Sequence, residues 1–146
     1  EYTLKQELVW SREDVSTWIC SSIHDGLVYV KGRGELQVLD TAMGKTVGKV
    51  QWPQEFGGIH HFASVAGGYL FGFDGGGARC LVVSVGREPK VVGVNRLGNA
   101  DHGEYHAINQ GGQPFFSGNR IFYRSYTNVY CIGDKNQPMR LSKEHQ

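Results

Sequence analysis

Short apolar and β-branched runs alternate with glycine-rich breaks along nearly the whole chain. The runs are mostly about four to eight residues long, the usual length of a strand, and helix-period patterns are nearly absent. The breaks carry turn residues such as Asp25-Gly26 and Ser117-Gly118-Asn119. Because tight turns join antiparallel neighbours, the pattern predicts an antiparallel all-β protein. The predicted strands are Thr3–Trp10, Trp18–Ile23, Leu27–Lys31, Glu35–Asp40, Thr46–Trp52, His60–Val65, Tyr69–Phe73, Arg79–Val85, Lys90–Leu97, Gln113–Phe116, Arg120–Ser125 and Asn128–Ile132.

These segments also repeat along the chain. The stretch Asp25–Val30 is similar to Gly67–Gly72, and both are similar to Gly118–Tyr123, so successive copies begin 42 and 51 residues apart. A period near 40–50 residues with about four strands in each unit is typical of a β-propeller blade. A sandwich or a small barrel stays possible, but neither requires self-similarity at this period.

The repeat predicts three blades of four-stranded antiparallel sheet, over residues 11–52, 53–97 and 98–134. The strand at 3–10 would belong to a neighbouring or closing blade, and residues 135–146 form a polar tail that we expect to fray. A closed propeller has about four to eight blades, so three make an incomplete ring. Either the chain is part of a longer propeller, or several chains close a ring together. The expected partners are therefore the remaining blades or further copies of the chain, and a protein partner is possible.

Composition excludes several other classes of protein. The net charge of +1 gives no field that would attract nucleic acid, and no apolar run approaches the length of a membrane-spanning helix. Three cysteines, Cys20, Cys80 and Cys131, lie in β-like runs. An odd count does not indicate a disulfide framework, and we interpret them as buried thiols, with one disulfide plus one free thiol as the alternative.

The linking loops carry the candidate metal ligands. His102, Glu104 and His106 alternate in the long loop before the third unit, so in an extended segment they would point to one side. Imidazole and carboxylate groups together suit zinc or another divalent ion. The alternative is a solvated polar loop whose histidines form local hydrogen bonds.

Four further residues are candidates for binding from the same rim of the propeller. His60 and His61 follow the first linking loop, and Arg124 and Tyr126 flank the hairpin between the last two strands. Ligand sites in propellers gather on such a rim. No catalytic residue is predicted, since the sequence has no nucleophile elbow, no zinc-protease helix and no Walker loop.

Two segments resemble the pyrroloquinoline-quinone-like β-propeller repeat. They are Asp25–Val30 followed by Leu39–Lys45, and Pro114–Arg124 followed by Tyr130–Gly133, which is similar to the closing blade of bacterial proteins of this type. Trp52 falls later than the docking tryptophan of that family. The resemblance implies a propeller fold and an extracytoplasmic setting, periplasmic or secreted.

The same resemblance implies two kinds of function. The leading hypothesis is a non-catalytic module that binds a ligand or protein and acts as a scaffold, for which no cofactor is predicted. The alternative is a fragment of a quinone-dependent oxidoreductase, which would use pyrroloquinoline quinone with calcium. A glycan-binding propeller is a third possibility, disfavoured because the three tryptophans stand at predicted strand ends.

Overall fold

Eleven strands form three separate antiparallel sheets in the computed structural model, which describes residues 7–15, 22–32, 34–54, 56, 59, 63–74, 79–96, 113–124 and 129–140. The first sheet has the order β1-β2-β3-β4, the second β5-β6-β7-β8, and the third β11-β10-β9. The strands are β1 (Ser22–His24), β2 (Leu27–Lys31), β3 (Glu35–Asp40), β4 (Thr46–Gln51), β5 (Ser64–Ala66), β6 (Tyr69–Phe73), β7 (Arg79–Ser84), β8 (Val91–Arg96), β9 (Phe115–Ser117), β10 (Arg120–Arg124) and β11 (Val129–Ile132).

The predicted all-β, propeller-like architecture is confirmed, and its ring is open. Each sheet is a meander of neighbouring strands, and none of the described residues is helical. One predicted strand, Thr3–Trp10, is not found among the described residues. Residues 7–10 form no strand, and residues 1–6 lie outside the described part of the chain. The predicted limits of the blades within the linking segments stay a prediction. No helix in the described ranges could cross a membrane.

The three sheets pack face to face. Because successive side chains of a strand point to opposite faces, one strand can contribute to the cores on both sides of its sheet. On β7, Leu81 and Val83 join a core shared with the first sheet, whereas Cys80 and Val82 join a core shared with the third. The first core also contains Leu36 and other apolar residues of β2 and β3. The second sheet is therefore apolar on both faces and lies between the other two.

A tryptophan is associated with each of the first two sheets, 12 residues before its first strand. Trp10 precedes β1, its ring lies against Gly44, and its Nε1 donates to the Thr41 carbonyl at 2.8 Å. The left-handed backbone of Gly44, with a φ of 65°, and its missing Cβ leave space for the ring. Trp52 precedes β5 and packs against the core between the first and second sheets.

Serine hydroxyls connect each of the first two sheets to the next one. The Ser22 hydroxyl of β1 donates to the Ala63 carbonyl, just before β5. The Ser64 hydroxyl of β5 donates to the Pro114 carbonyl, just before β9, at 3.0 Å. The equivalent residue of the third sheet is Phe115, so this hydroxyl link is not repeated there.

The described part of the polar tail, residues 135–140, is exposed, and hydrogen bonds attach it to the third sheet. The Arg140 backbone N–H donates to Asn119 Oδ1 at 2.9 Å, and Asn119 Nδ2 donates to the Pro138 carbonyl at 3.1 Å. The tail therefore folds back onto the β9–β10 turn, and its contacts there extend as far as residue 140. Residues 141–146 lie outside the described ranges.

Candidate binding surface

The strand order brings together the strand ends that adjoin the loops named by the sequence analysis. The ends of β2 and β4 lie with the start of β3, the ends of β6 and β8 with the start of β7, and the end of β10 with the start of β11, and we call these ends the rim. Of the predicted rim residues, only Arg124 is described, and it is exposed at the end of β10. The others lie outside the described residues: His60, His61, His102, Glu104, His106 and Tyr126.

The predicted metal site therefore stays a prediction. Within the described ranges, no group of three or more histidine, cysteine, aspartate or glutamate side chains is placed to hold a metal ion. The proposed ligands His102, Glu104 and His106 are not among those residues, so the search does not reach them.

An ion-pair network occupies this rim on the first sheet. Glu35 accepts from Lys49 Nζ at 2.8 Å and from Gln51 Nε2 at 3.0 Å. The hydrogen bond from Lys49 is the main cause that lowers the pKa of the Glu35 carboxyl. Because Lys49 is half exposed, water screens the pair and its contribution to stability is small. The network leaves this part of the rim polar and internally paired.

The corresponding rim of the second sheet holds a buried carboxylate. Asp74 is 2% exposed and accepts from Arg79 Nε at 2.6 Å. The Asp74 N–H also donates to the Arg79 carbonyl at 3.0 Å, so backbone and side chain both connect the two ends of the β6–β7 loop. Sequence analysis missed this pair, although an aspartate directly before a glycine run was its visible signal. Its charge is compensated within the loop.

Beside Asp74, two titratable side chains are held neutral between the second and third sheets. Burial raises the pKa of the Cys80 thiol to about 12 and that of the Tyr123 hydroxyl to about 12. Because thiolates are the reactive form of cysteine, Cys80 has the properties of a structural residue. The prediction of a buried thiol is confirmed for Cys80.

Two buried tyrosines give a matched test of hydrogen bonding in these cores. Tyr29 accepts from the Gly86 N–H at 2.7 Å, whereas the buried Tyr123 hydroxyl has no partner among the described residues. We expect Tyr29→Phe to cost about 1–2 kcal/mol because it removes this acceptor. Tyr123→Phe should leave stability unchanged or raise it. Urea unfolding measures both, and an equal loss in the two variants would contradict the assignment.

The third sheet differs from the other two at its outer edge and on one face. In the first two sheets β3 and β7 are each paired on both sides, but β11 pairs only with β10 among the described residues. Leu36 of β3 is 2% exposed and Cys80 of β7 is 5% exposed. Val129, the equivalent residue of β11, is 74% exposed. No following sheet covers it in the described part of the chain.

We call this uncovered surface the open face. It contains Phe115, Phe122, Val129 and Cys131, with Arg124 at its rim end. The prediction that Cys131 is buried is wrong, because no sheet of the described residues covers this face. Sequence analysis missed the open face, since Val129 has the same apolar character as residues that are buried in the other sheets.

The quinone cofactor of the alternative hypothesis stays a prediction, and among the described residues few groups could hold it. Such a cofactor is held by a stacked tryptophan and several charged groups around the channel. The innermost strands, β1, β5 and β9, supply one titratable side chain, His24, and otherwise serine and apolar residues. Both described tryptophans are committed to packing, Trp10 against Gly44 and Trp52 against the core between sheets.

Comparison with known proteins adds a likeness in fold alone. No protein-family model matches the chain. No curated protein matches it either. Among solved structures, BamB from Moraxella catarrhalis is similar, with a TM-score of 0.60 and 11% sequence identity. The match covers 80% of this chain and 34% of BamB, so it spans about a third of that protein. The likeness and the three meandering sheets together define the fold class as β-propeller.

Proposed function

We propose that this chain is a non-catalytic β-propeller module that binds another polypeptide through β11 and the open face beside it. The main support for this proposal is the exposure of Val129. Its side chain is 74% exposed, whereas the equivalent residues of the first two sheets, Leu36 and Cys80, are buried. The backbone groups on the outer edge of β11 can pair with an added strand, and alternate side chains of that strand would then settle on an apolar surface.

The chemistry of the described residues supports binding better than catalysis. The carboxylates of Glu35 and Asp74 are paired with cations, and the Cys80 thiol is buried and neutral. A module of this kind fits the scaffold role that the repeat resemblance implies. The extracytoplasmic setting, and a bacterial source, belong to the proposal on the same resemblance.

Site-directed photo-crosslinking tests the proposal. Val129 is replaced by p-benzoylphenylalanine in cells that express the protein, and Val92, a 59% exposed residue of β8, receives the same replacement as the matched control. We expect an adduct that contains a second polypeptide at position 129 and none at position 92. Absence of an adduct at position 129, or equal adducts at the two positions, would contradict the proposal.

A second measurement addresses the oxidoreductase alternative. The chain is incubated with pyrroloquinoline quinone and calcium, and the quinone absorbance is followed through gel filtration. We expect the quinone to separate from the protein. Quinone that elutes with the chain would favour the alternative function.

A further inference from the structure

The segment before β1 is the repeat equivalent of an outer strand. Trp52 directly follows β4, and it lies 42 residues after Trp10. Strands β1 and β5, and strands β2 and β6, are also 42 residues apart. Residues 4–9 therefore occupy the repeat position of β4, although residues 7–9 form no strand in the single chain. Leu8 is 84% exposed and Val9 is 80% exposed.

Among the described residues, the third sheet has no counterpart of β4, the strand that this segment would supply. By repeat position, β11 corresponds to β3, and β3 pairs on its outer side with β4. Leu36 pairs with Val50 there, and Gln37 pairs with Lys49. Because Lys31 pairs with Leu36 as Arg124 pairs with Val129, Val129 takes the place of Leu36. The missing partner of Val129 is then the residue equivalent to Val50, which is Leu8.

We propose that the partner of β11 is a second copy of this chain, whose segment 7–9 pairs with β11 at the position that β4 takes beside β3. In this arrangement Leu8 of one copy lies opposite Val129 of the other, and Glu7 lies opposite Tyr130. The inference rests on the proposed function, because it identifies which polypeptide the edge of β11 binds.

Burial of the two exposed residues favours this pairing. Leu8 and Val129 are both among the most exposed large apolar side chains of the described structure. Val50, the equivalent of Leu8, packs against the core between the first and second sheets. Leu8 would pack in the same way between the third sheet of one copy and the first sheet of the other, where Val129 also faces.

The symmetry of the assembly agrees with the same pairing. The joint is head-to-tail, so it forms a ring only if it closes. Two copies joined at both ends would bring six sheets together, within the usual number of propeller blades.

Disulfide trapping between two differently labelled chains tests the joint. Leu8→Cys and Val129→Cys are made in separate chains that also carry Cys20→Ser and Cys131→Ser, and the two are mixed and oxidised. We expect a cross-linked species of twice the 16.2 kDa chain mass. Val92→Cys replaces Val129→Cys in the control mixture and should give at least tenfold less cross-linking.

Light scattering of the intact chain gives a second, independent readout. We expect the native chain and Val92→Glu to share a mass twice that of the single chain, and Val129→Glu to fall to the monomer mass while its melting temperature shows that it stays folded. A monomeric native chain without cross-linking would overturn the inference. If the photo-crosslink at position 129 still captured a different protein, the proposed function would stand; without it, both would fail.

Discussion

Replacing Phe73 by alanine should lower the free energy of unfolding by about 3–5 kcal/mol. The Phe73 side chain is 1% exposed and lies between the second and third sheets. Its ring stacks on Tyr123 with 3.9 Å between centroids and 9° between planes. Removing the ring leaves a cavity between two sheets that cannot close without moving one of them. Urea unfolding followed by circular dichroism measures the loss.

Phe115→Ala is the control for this change, with both substitutions made in the monomeric Val129→Glu chain, since there it removes the same side chain from a 65% exposed position on β9. We expect its effect on the free energy of unfolding to be within about 0.5 kcal/mol, as for most surface substitutions. Equal losses for Phe73→Ala and Phe115→Ala would contradict the packing of the second sheet on the third.

Gly48→Val should destabilise the chain by about 3 kcal/mol, because it overfills the contact between the first and second sheets. Gly48 lies on β4, and a Cβ at this residue would overlap the backbone carbonyl oxygen of Arg87 in the β7–β8 turn. The turn is held close, since Arg87 Nη2 donates to Asp40 Oδ2 of β3 at 2.9 Å. The Arg87 backbone cannot move away from a new Cβ at residue 48 as easily as a flexible side chain could.

The repeat provides a control at the equivalent place. Gly93 lies on β8 opposite Val82, as Gly48 lies on β4 opposite Val38. A Cβ at Gly93 meets nothing within 4 Å, so Gly93→Val should be neutral or stabilise the strand by up to about 1 kcal/mol. Thermal unfolding of both variants distinguishes them. Similar melting temperatures would show that the turn does not press on β4.

The sequence predicts the strands of this protein well because local patterns determine them. Turns such as Asp25-Gly26 need left-handed backbone, and both residues adopt it, with φ values of 47° and 71°. Apolar runs such as Leu81–Val83 are continuous because both faces of the second sheet are buried. The long-range contacts are less accessible, since nothing in the local pattern shows that Trp10 packs on Gly44.

The candidate binding surface was harder to predict than the fold. Cys131 and Val129 have the same apolar character as the buried Cys80 and Val82, and only the absence of a covering sheet among the described residues makes them different. An exposed apolar face is a property of the assembly of sheets, and a sequence pattern records only the residue type. The rim loops, by contrast, are easy to identify in the sequence because they contain several histidines and charged residues. Most of the candidate residues predicted there lie outside the described ranges.

Hydrogen exchange at two protein concentrations tests most directly whether β11 is a binding edge. At low concentration we expect alternate backbone amides of Val129–Ile132 to exchange fast, because β11 is paired on one side, while amides of β3 and β7 exchange slowly. At high concentration the fast amides of β11 should become protected, as a second chain adds its strand. Protection equal to that of β3 at both concentrations would show that the edge is already covered, and fast exchange at both would show that no second copy binds there.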